Sequence, residues 1–219
     1  KKKINFYYVS APKKWQIKIF KILGITENKL INSSKNKHIF ADEVLSLDHP
    51  WYQKGTFQNQ VKKIPKWIIF INRKIFLKKA KKVKLTKKIF LDRSSSEFNH
   101  CQIYNQRKVN QWIKKNNLSS CKPEKLTLEK QIYLFNNASI ILGAHGAAFT
   151  NIIFCKPGTK IIEIIPANHP NRKCERISKI LGLKYFRIVT KPDNTNKNFP
   201  FRIHLEKKHF KMIDKTINL

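Results

Sequence analysis

One histidine set in a run of small residues marks the part of this chain best suited to chemistry. The run reads Leu142-Gly-Ala-His-Gly-Ala-Ala-Phe-Thr-Asn151 and follows the apolar strand Ile140 to Leu142. Glycine at 143 and 146 lets the backbone turn sharply and approach a ligand, and Ala144, Ala147 and Ala148 keep side chains out of the way. A helix opening at Gly146 or Ala147 would aim its unpaired N–H groups and positive dipole end at the crevice beyond the strand. A phosphate-bearing ligand suits such a place, with His145 as the functional group facing it. Asn151 lies about one and a half turns into that helix. Glu163 interrupts the apolar strand Ile161–Ile165, and a carboxylate there is costly unless it is paired or faces a polar ligand. The bland alternatives stay open: Gly and Ala also serve tight packing alone, and Glu163 also fits a strand-end residue bonded to lysine or backbone.

The elements that must position these residues alternate regularly. A strand at Lys88–Asp92 is followed by a helix over Asn105–Asn116, with Val109, Trp112 and Ile113 on one face. Thr127 then caps a helix that turns Leu128, Ile132 and Phe135 inward. Next come the strand at Ile140, the Gly146 helix, the strand at Ile161, a helix over Arg172–Leu181 and the strand Tyr185–Val189. Such βα repeats predict an α/β fold with a doubly wound, mostly parallel sheet and ligands at the carboxyl ends of its strands. Upstream, a strand Ile4–Val9 and a helix Pro12–Leu23 ending at Gly24 read as part of a second α/β domain. Ile64, Trp67, Ile68, Ile71 and Ile75 keep helical spacing, either as a face packed into its own domain or as one lying on a membrane. The lysine run Lys78–Lys84 suggests the break, with residues 1–80 as part of an N-terminal, acceptor-side domain and residues 81–219 as a C-terminal Rossmann-like domain. Lys191–Pro200 reads as a polar loop.

Gly143-Ala-His-Gly-Ala147, Thr150-Asn151, Phe154, Pro157-Gly158, Ile162-Glu163-Ile164 and Pro166, preceded by Ile89–Arg93, Asn105-Gln106, Lys125–Gln131 and Leu134-Phe135, together resemble glycosyltransferase family 61. The likeness is good over residues 85 to 190 and loose before them. It implies a GT-B fold, two Rossmann-like domains around a cleft. It also implies transfer of a sugar, hexosyl or pentosyl, from a nucleotide-sugar donor with inversion. Neither a metal nor a cofactor is implied, the nucleotide sugar being a co-substrate. The acceptor would be a polysaccharide or a lipid-linked glycan, of the bacterial surface or capsule type. Donor contacts then fall to Arg93, Gly143, His145, Gly146, Ala147, Asn151 and Glu163, with Arg107, Thr150 and Lys156 as further contacts. Arg93, just after a strand, suits paired hydrogen bonds to the donor diphosphate; its alternative is a surface arginine beside Asp92 or Glu97. The catalytic base is His145 or Glu163, or lies in an upstream segment outside this chain. Two departures stand out. Where the family shows a second arginine this chain has Cys101 or a neighbour, and where it shows Glu there is Gln106, so either Arg107 substitutes or the phosphate grip is weaker. The family's upstream segment with Gly-His-Phe and a Glu is absent.

Charge and composition set the remaining bounds. The chain has 219 residues, 41% of them hydrophobic, with 46 basic against 13 acidic side chains and a net charge of +33. That excess raises nucleic-acid binding as an alternative function. Only seven of the basic residues are arginines, however, and abundant Lys, Asn and Ile together follow from an AT-rich genome without selection for charge. Lys62–Lys88 holds twelve basic residues and no acid, which suits an anionic membrane surface as a further partner. Cys101, Cys121, Cys155 and Cys174 lie far apart, arguing against zinc and a disulfide scaffold. His38, His49, His100, His169, His204 and His209 show no metal-ligand spacing and read as surface or loop residues. No apolar run reaches the roughly 20 residues a membrane span requires. Lys1–Val9 lacks a methionine and reads like an interior strand, predicting a fragment or a processed chain, with an inactive truncated transferase as a third reading. The expected setting is cytoplasmic, peripheral to an inner membrane.

Overall fold

The computed structural model describes residues 3–46, 64–84, 86–94, 101–169, 172–191 and 201–219. Two compact units divide the chain, Lys1–His49 and Pro50–Leu219. Glu97, His49 and His100, and residues 192–200 of the expected polar loop, lie outside the described residues.

The first unit is a small βαβ arrangement. Strand β1 (Tyr7–Val9) leads through helix α1 (Lys14–Ile22) to strand β2 (Leu30–Asn32), and the two strands pair in parallel with Tyr7 opposite Leu30. Gly24 closes the helix at φ 81, a left-handed conformation that glycine adopts without steric cost. The expected α/β character of this segment is thus present.

The second unit begins earlier than the lysine run suggested. Helix α2 (Lys66–Phe76) belongs to it, because Arg73 on its inner face donates to the carbonyls of Ile153 and Cys155, the latter at 2.8 Å. The inward face is also rotated from the stripe read in the sequence. Ile69 and Phe76 are buried, whereas Trp67 and Ile71 are exposed. Isoleucines are so frequent here that several helical stripes fit the same segment, and the long-range bonds of Arg73 decide between them.

Five parallel strands follow: β3 (Lys88–Leu91), β4 (Ser119–Cys121), β5 (Ile140–Ala144), β6 (Lys160–Pro166) and β7 (Lys184–Thr190). Their spatial order is β4-β3-β5-β6-β7, so the chain leaves β3 in one direction to form β4 and returns on the other side with β5. Every residue of β5 is buried, as expected for a central strand covered on both faces. Side chains alternate across the sheet. On one face Phe90, Leu142, Ile162, Ile164 and Ile188 share a core with Val109 and Ile113 of helix α3 (Gln106–Lys115) and with Ile213 and Ile217 of helix α6 (Lys207–Asn218). Each fully buried aliphatic side chain contributes about 1.5–3 kcal/mol. Trp112 ties α3 to α6 by donating its indole N–H to Asp214 Oδ1 at 2.8 Å.

Toward the other face point Ile89, Leu91, Ile141, Ile161 and Glu163. There helices α4 (Leu128–Asn137) and α5 (Lys173–Leu181) pack against the segment Ala147–Phe154, as does α2. Thr127 caps α4 as expected, accepting from Lys130 N. Helices on both faces make the sheet doubly wound, a Rossmann-like α/β architecture. Among the described residues no helix is long and apolar enough to cross a membrane.

Candidate functional site

In a parallel sheet the place where chain direction reverses leaves a crevice at the strands' carboxyl ends. Here that place lies between β3 and β5, and the residues following both strands meet there. Arg93 comes two residues after β3 and Gly146 two after β5. A methyl group added to Gly146 would sit 1.6 Å from Arg93 Nη1, so the guanidinium occupies the space any other residue's Cβ would need. Gly146 itself is extended, at φ 172. Glycine here makes room for the Arg93 guanidinium, and backbone conformation does not demand it. Gly143 is similarly confined, with Leu91 Cβ and O each 2.9 Å from where a side chain's Cβ would sit. Burial lowers the Arg93 pKa from its ordinary value while leaving an arginine cationic at neutral pH. Arg93 also lines a cavity of about 120 Å³ with Phe90, Leu91, Ser94, Gln102, Ile103, Gln106 and Ala144.

His145 turns to the other side. Its Nδ1 lies 2.5 Å from Glu163 Oε1, and its backbone N–H continues the sheet by donating to Ile164 O at 2.8 Å. Glu163 stands in the middle of β6, opposite Gly143 and Arg187 in the register, and is 1% exposed. Tyr185 on β7 donates its hydroxyl to Glu163 Oε2 at 2.6 Å, and the Cys174 thiol at the start of α5 also hydrogen-bonds the carboxylate. Burial alone would raise the Glu163 pKa. The His145 hydrogen bond and charge, with the bonds from Tyr185 and Cys174, outweigh it and hold the carboxyl below the usual range. The Cys174 thiol and the Tyr185 phenol are both pushed upward, first by burial and then by the Glu163 charge, so each remains a protonated donor. Possible metal donors of His145, Glu163 and Cys174 all lie within 4.8 Å of one another. Without a metal these groups form a set of donors around a carboxylate, with the Cys174 thiol protonated; a metal held there would take the sulfur as thiolate.

His169 is 8% exposed, and its ring centroid is 4.3 Å from that of His145, with Phe201 edge-on behind it at 4.7 Å. The surface reading of His169 is corrected accordingly. It follows the carboxyl end of β6, so the parallel topology carries it to the same edge. His209 is also buried, its Nδ1 accepting from the N–H of Glu206 at the start of α6.

The other expected contacts separate. The segment after Gly146 is not an α-helix but successive 3-10 turns over Ala147–Phe154, with Phe149 N–H donating to Gly146 O at 3.1 Å. Three residues per turn align positions i and i+3. Phe149, Ile152 and Cys155, each fully buried, keep that spacing. Asn151 faces α4, donating to Gln131 Oε1 at 2.9 Å. Ala147 and Thr150 are exposed, and Thr150 Oγ1 accepts from Lys173 at 2.9 Å. Arg107 is exposed on α3, and its neighbour Gln106 lines the cavity instead. Lys156 is exposed in the turn preceding β6, hence at the sheet's amino edge, because the chain must run back along the sheet before re-entering it in parallel. Cys101 is buried near Arg93, and burial pushes its thiol up to about 12. It offers no cation in place of the second arginine.

A doubly wound parallel sheet with an arginine, a buried His–Glu pair and a cavity at its switch-point edge defines an α/β protein with a Rossmann-like ligand edge. Comparison with known proteins makes this specific. Residues 30–162 match the family described as Glycosyltransferase 61. The chain belongs to glycosyltransferase family 61. It is 38% identical over 60 residues to a beta-1,2-xylosyltransferase of Arabidopsis thaliana, covering 27% of this chain and 11% of that protein. It is 32% identical over 63 residues to the beta-1,2-xylosyltransferase RCN11 of Oryza sativa subsp. japonica, covering 29% and 12%. It is 41% identical over 46 residues to the xylan glycosyltransferase MUCI21 of Arabidopsis thaliana, covering 20% and 9%. The matched stretches thus span about a tenth of these relatives' lengths. All three are plant proteins, which runs against the bacterial, capsule-type acceptor expected from the sequence.

Proposed function

We propose that this chain carries the nucleotide-sugar-binding part of a glycosyltransferase that acts on polysaccharide, inverts the anomeric centre and needs no metal. The observation that carries the proposal is the seating of Arg93 against Gly146 at the edge where β3 and β5 diverge. Breaking the bond from the anomeric carbon to the donor phosphate leaves negative charge on the departing diphosphate. A preorganised, partly buried guanidinium stabilises that charge. Inversion requires the acceptor oxygen to attack from the opposite side while a base takes its proton. His145 is assigned that role, with Nδ1–H held by Glu163 and Nε2 as the accepting nitrogen. Glu163, committed to several donors and almost fully buried, orients the imidazole and stabilises the cation it becomes on taking the proton, rather than meeting substrate.

A pentosyl donor is favoured over a hexosyl one because two of the relatives are xylosyltransferases by name. The GT-B arrangement belongs to the same proposal, the βαβ unit Tyr7–Asn32 being part of an acceptor-side domain. The test is transfer of labelled sugar from a panel of nucleotide sugars, pentosyl donors included, to polysaccharide acceptors with and without chelator. Transfer that survives chelation and is lost in His145→Ala supports the reading. Transfer lost on chelation contradicts the metal-free part, and full activity in His145→Ala contradicts the assignment of the base.

A further inference from the structure

We infer that Tyr185 is the positioning residue that locks Glu163, and through it His145, into one arrangement. The inference deepens the proposed role of His145 and rests on that reading only for its consequence in catalysis.

A carboxylate held by one partner can rotate about its last bond and exchange oxygens. Glu163 cannot, because Oε1 is taken by His145 Nδ1 at 2.5 Å and Oε2 by the Tyr185 hydroxyl at 2.6 Å. Tyr185 comes from a different strand, β7, two residues before Arg187, the register partner of Glu163. Its hydroxyl therefore approaches from the side opposite His145. With both oxygens fixed, the imidazole is held with its proton on Nδ1, leaving Nε2 on the far side of the ring. A phenol suits this task because it is a donor that stays protonated beside a charge, and its rigid ring, partly buried in the sheet, carries little rotamer freedom. The groups facing the carboxylate are His145 from the end of β5, Tyr185 from β7 and Cys174 from α5. Lys173, Arg187, Cys101 and His169 lie around them.

The test is 15N and proton NMR of the imidazoles in the ligand-free protein, comparing wild type with Tyr185→Phe, which keeps the ring and removes only the hydroxyl. Wild type is expected to show His145 with the proton on Nδ1 and two exchange-protected downfield protons, on Nδ1 and on Tyr185 Oη. Loss of one charge-assisted hydrogen bond should raise the pH at which the Nδ1–H signal collapses in acid by about one to two units. It should also mix the two tautomers. A Tyr185→Phe protein with an unchanged Nδ1–H signal and midpoint overturns the inference. So does wild type without a protected Oη proton, a readout that stands even where the variant does not fold. Loss of ligand binding in Tyr185→Phe with the imidazole signature intact means packing alone, and likewise overturns it. Titration of wild type with nucleotide sugars tests the donor reading separately, since the NMR signature needs no ligand.

Discussion

The guanidinium of Arg93 lies where the Cβ of residue 146 would be, 1.6 Å from Nη1, so a glycine after β5 and an arginine after β3 are two halves of one feature. Alanine at 146 must displace the guanidinium, the flexible partner of the two. Gly146→Ala is expected to weaken binding of a nucleotide diphosphate by about 10- to 100-fold, the worth of one charge-assisted pair. The thermal midpoint should move little. Calorimetric titration with a melting curve checks both halves.

The buried pair His145–Glu163 predicts an asymmetry between substitutions. Glu163→Ala removes the partner of His145, Tyr185 and Cys174 together and should cost about 3–5 kcal/mol in urea denaturation, as for a broken buried ion pair. Glu163→Gln, which keeps shape and one acceptor oxygen, should cost clearly less while still abolishing sugar transfer.

Glu163 also fixes the sign of one pH effect. Its carboxyl is held below the usual carboxylate range by the bonds from its neighbours. A group with a lowered folded-state value binds fewer protons folded than unfolded, so its stabilisation is complete above the unfolded value of about 4.3 and is lost as pH falls through the lowered one. Chemical denaturation from pH 6 to pH 3 should show wild type losing stability over that window more steeply than Glu163→Gln. Parallel curves would contradict the assignment.

Arg73 caps the far end of the 3-10 segment through the carbonyls of Ile153 and Cys155. Arg73→Ala leaves those carbonyls without their cationic donor, and about 1.5–3 kcal/mol of stability should go with it. Faster amide exchange in Phe149–Cys155, with strands β5 and β6 unaffected, is the expected signature.

Much of this was legible in the residues alone. Apolar runs at Ile140 and Ile161, flanked by glycine turns and helical spacing, announce buried parallel strands. A carboxylate inside the second run announces a partner. His145 and Glu163 were readable for that reason. Tyr185 was not, because its bond to Glu163 depends on β6–β7 register, which no local pattern encodes. His169 left a usable signal, since it follows the carboxyl end of a strand in a predicted parallel sheet. Asn151 and Lys156 misled in opposite ways. The first depends on a helix that three-residue periodicity converts to 3-10 turns, and the second sits in a turn at the wrong edge. Helix α6 went unread, although its buried Ile213 and Ile217 hold the helical i, i+4 spacing.

The most direct test of a donor diphosphate at the Arg93–His145 edge is calorimetric titration of the protein with a panel of nucleotides and nucleotide sugars, repeated on Arg93→Ala and His145→Ala. One nucleotide class should bind wild type. Arg93→Ala should weaken it by at least tenfold, and His145→Ala measurably, with both folds intact by circular dichroism. A nucleotide sugar that binds wild type and both variants with equal affinity would contradict the account.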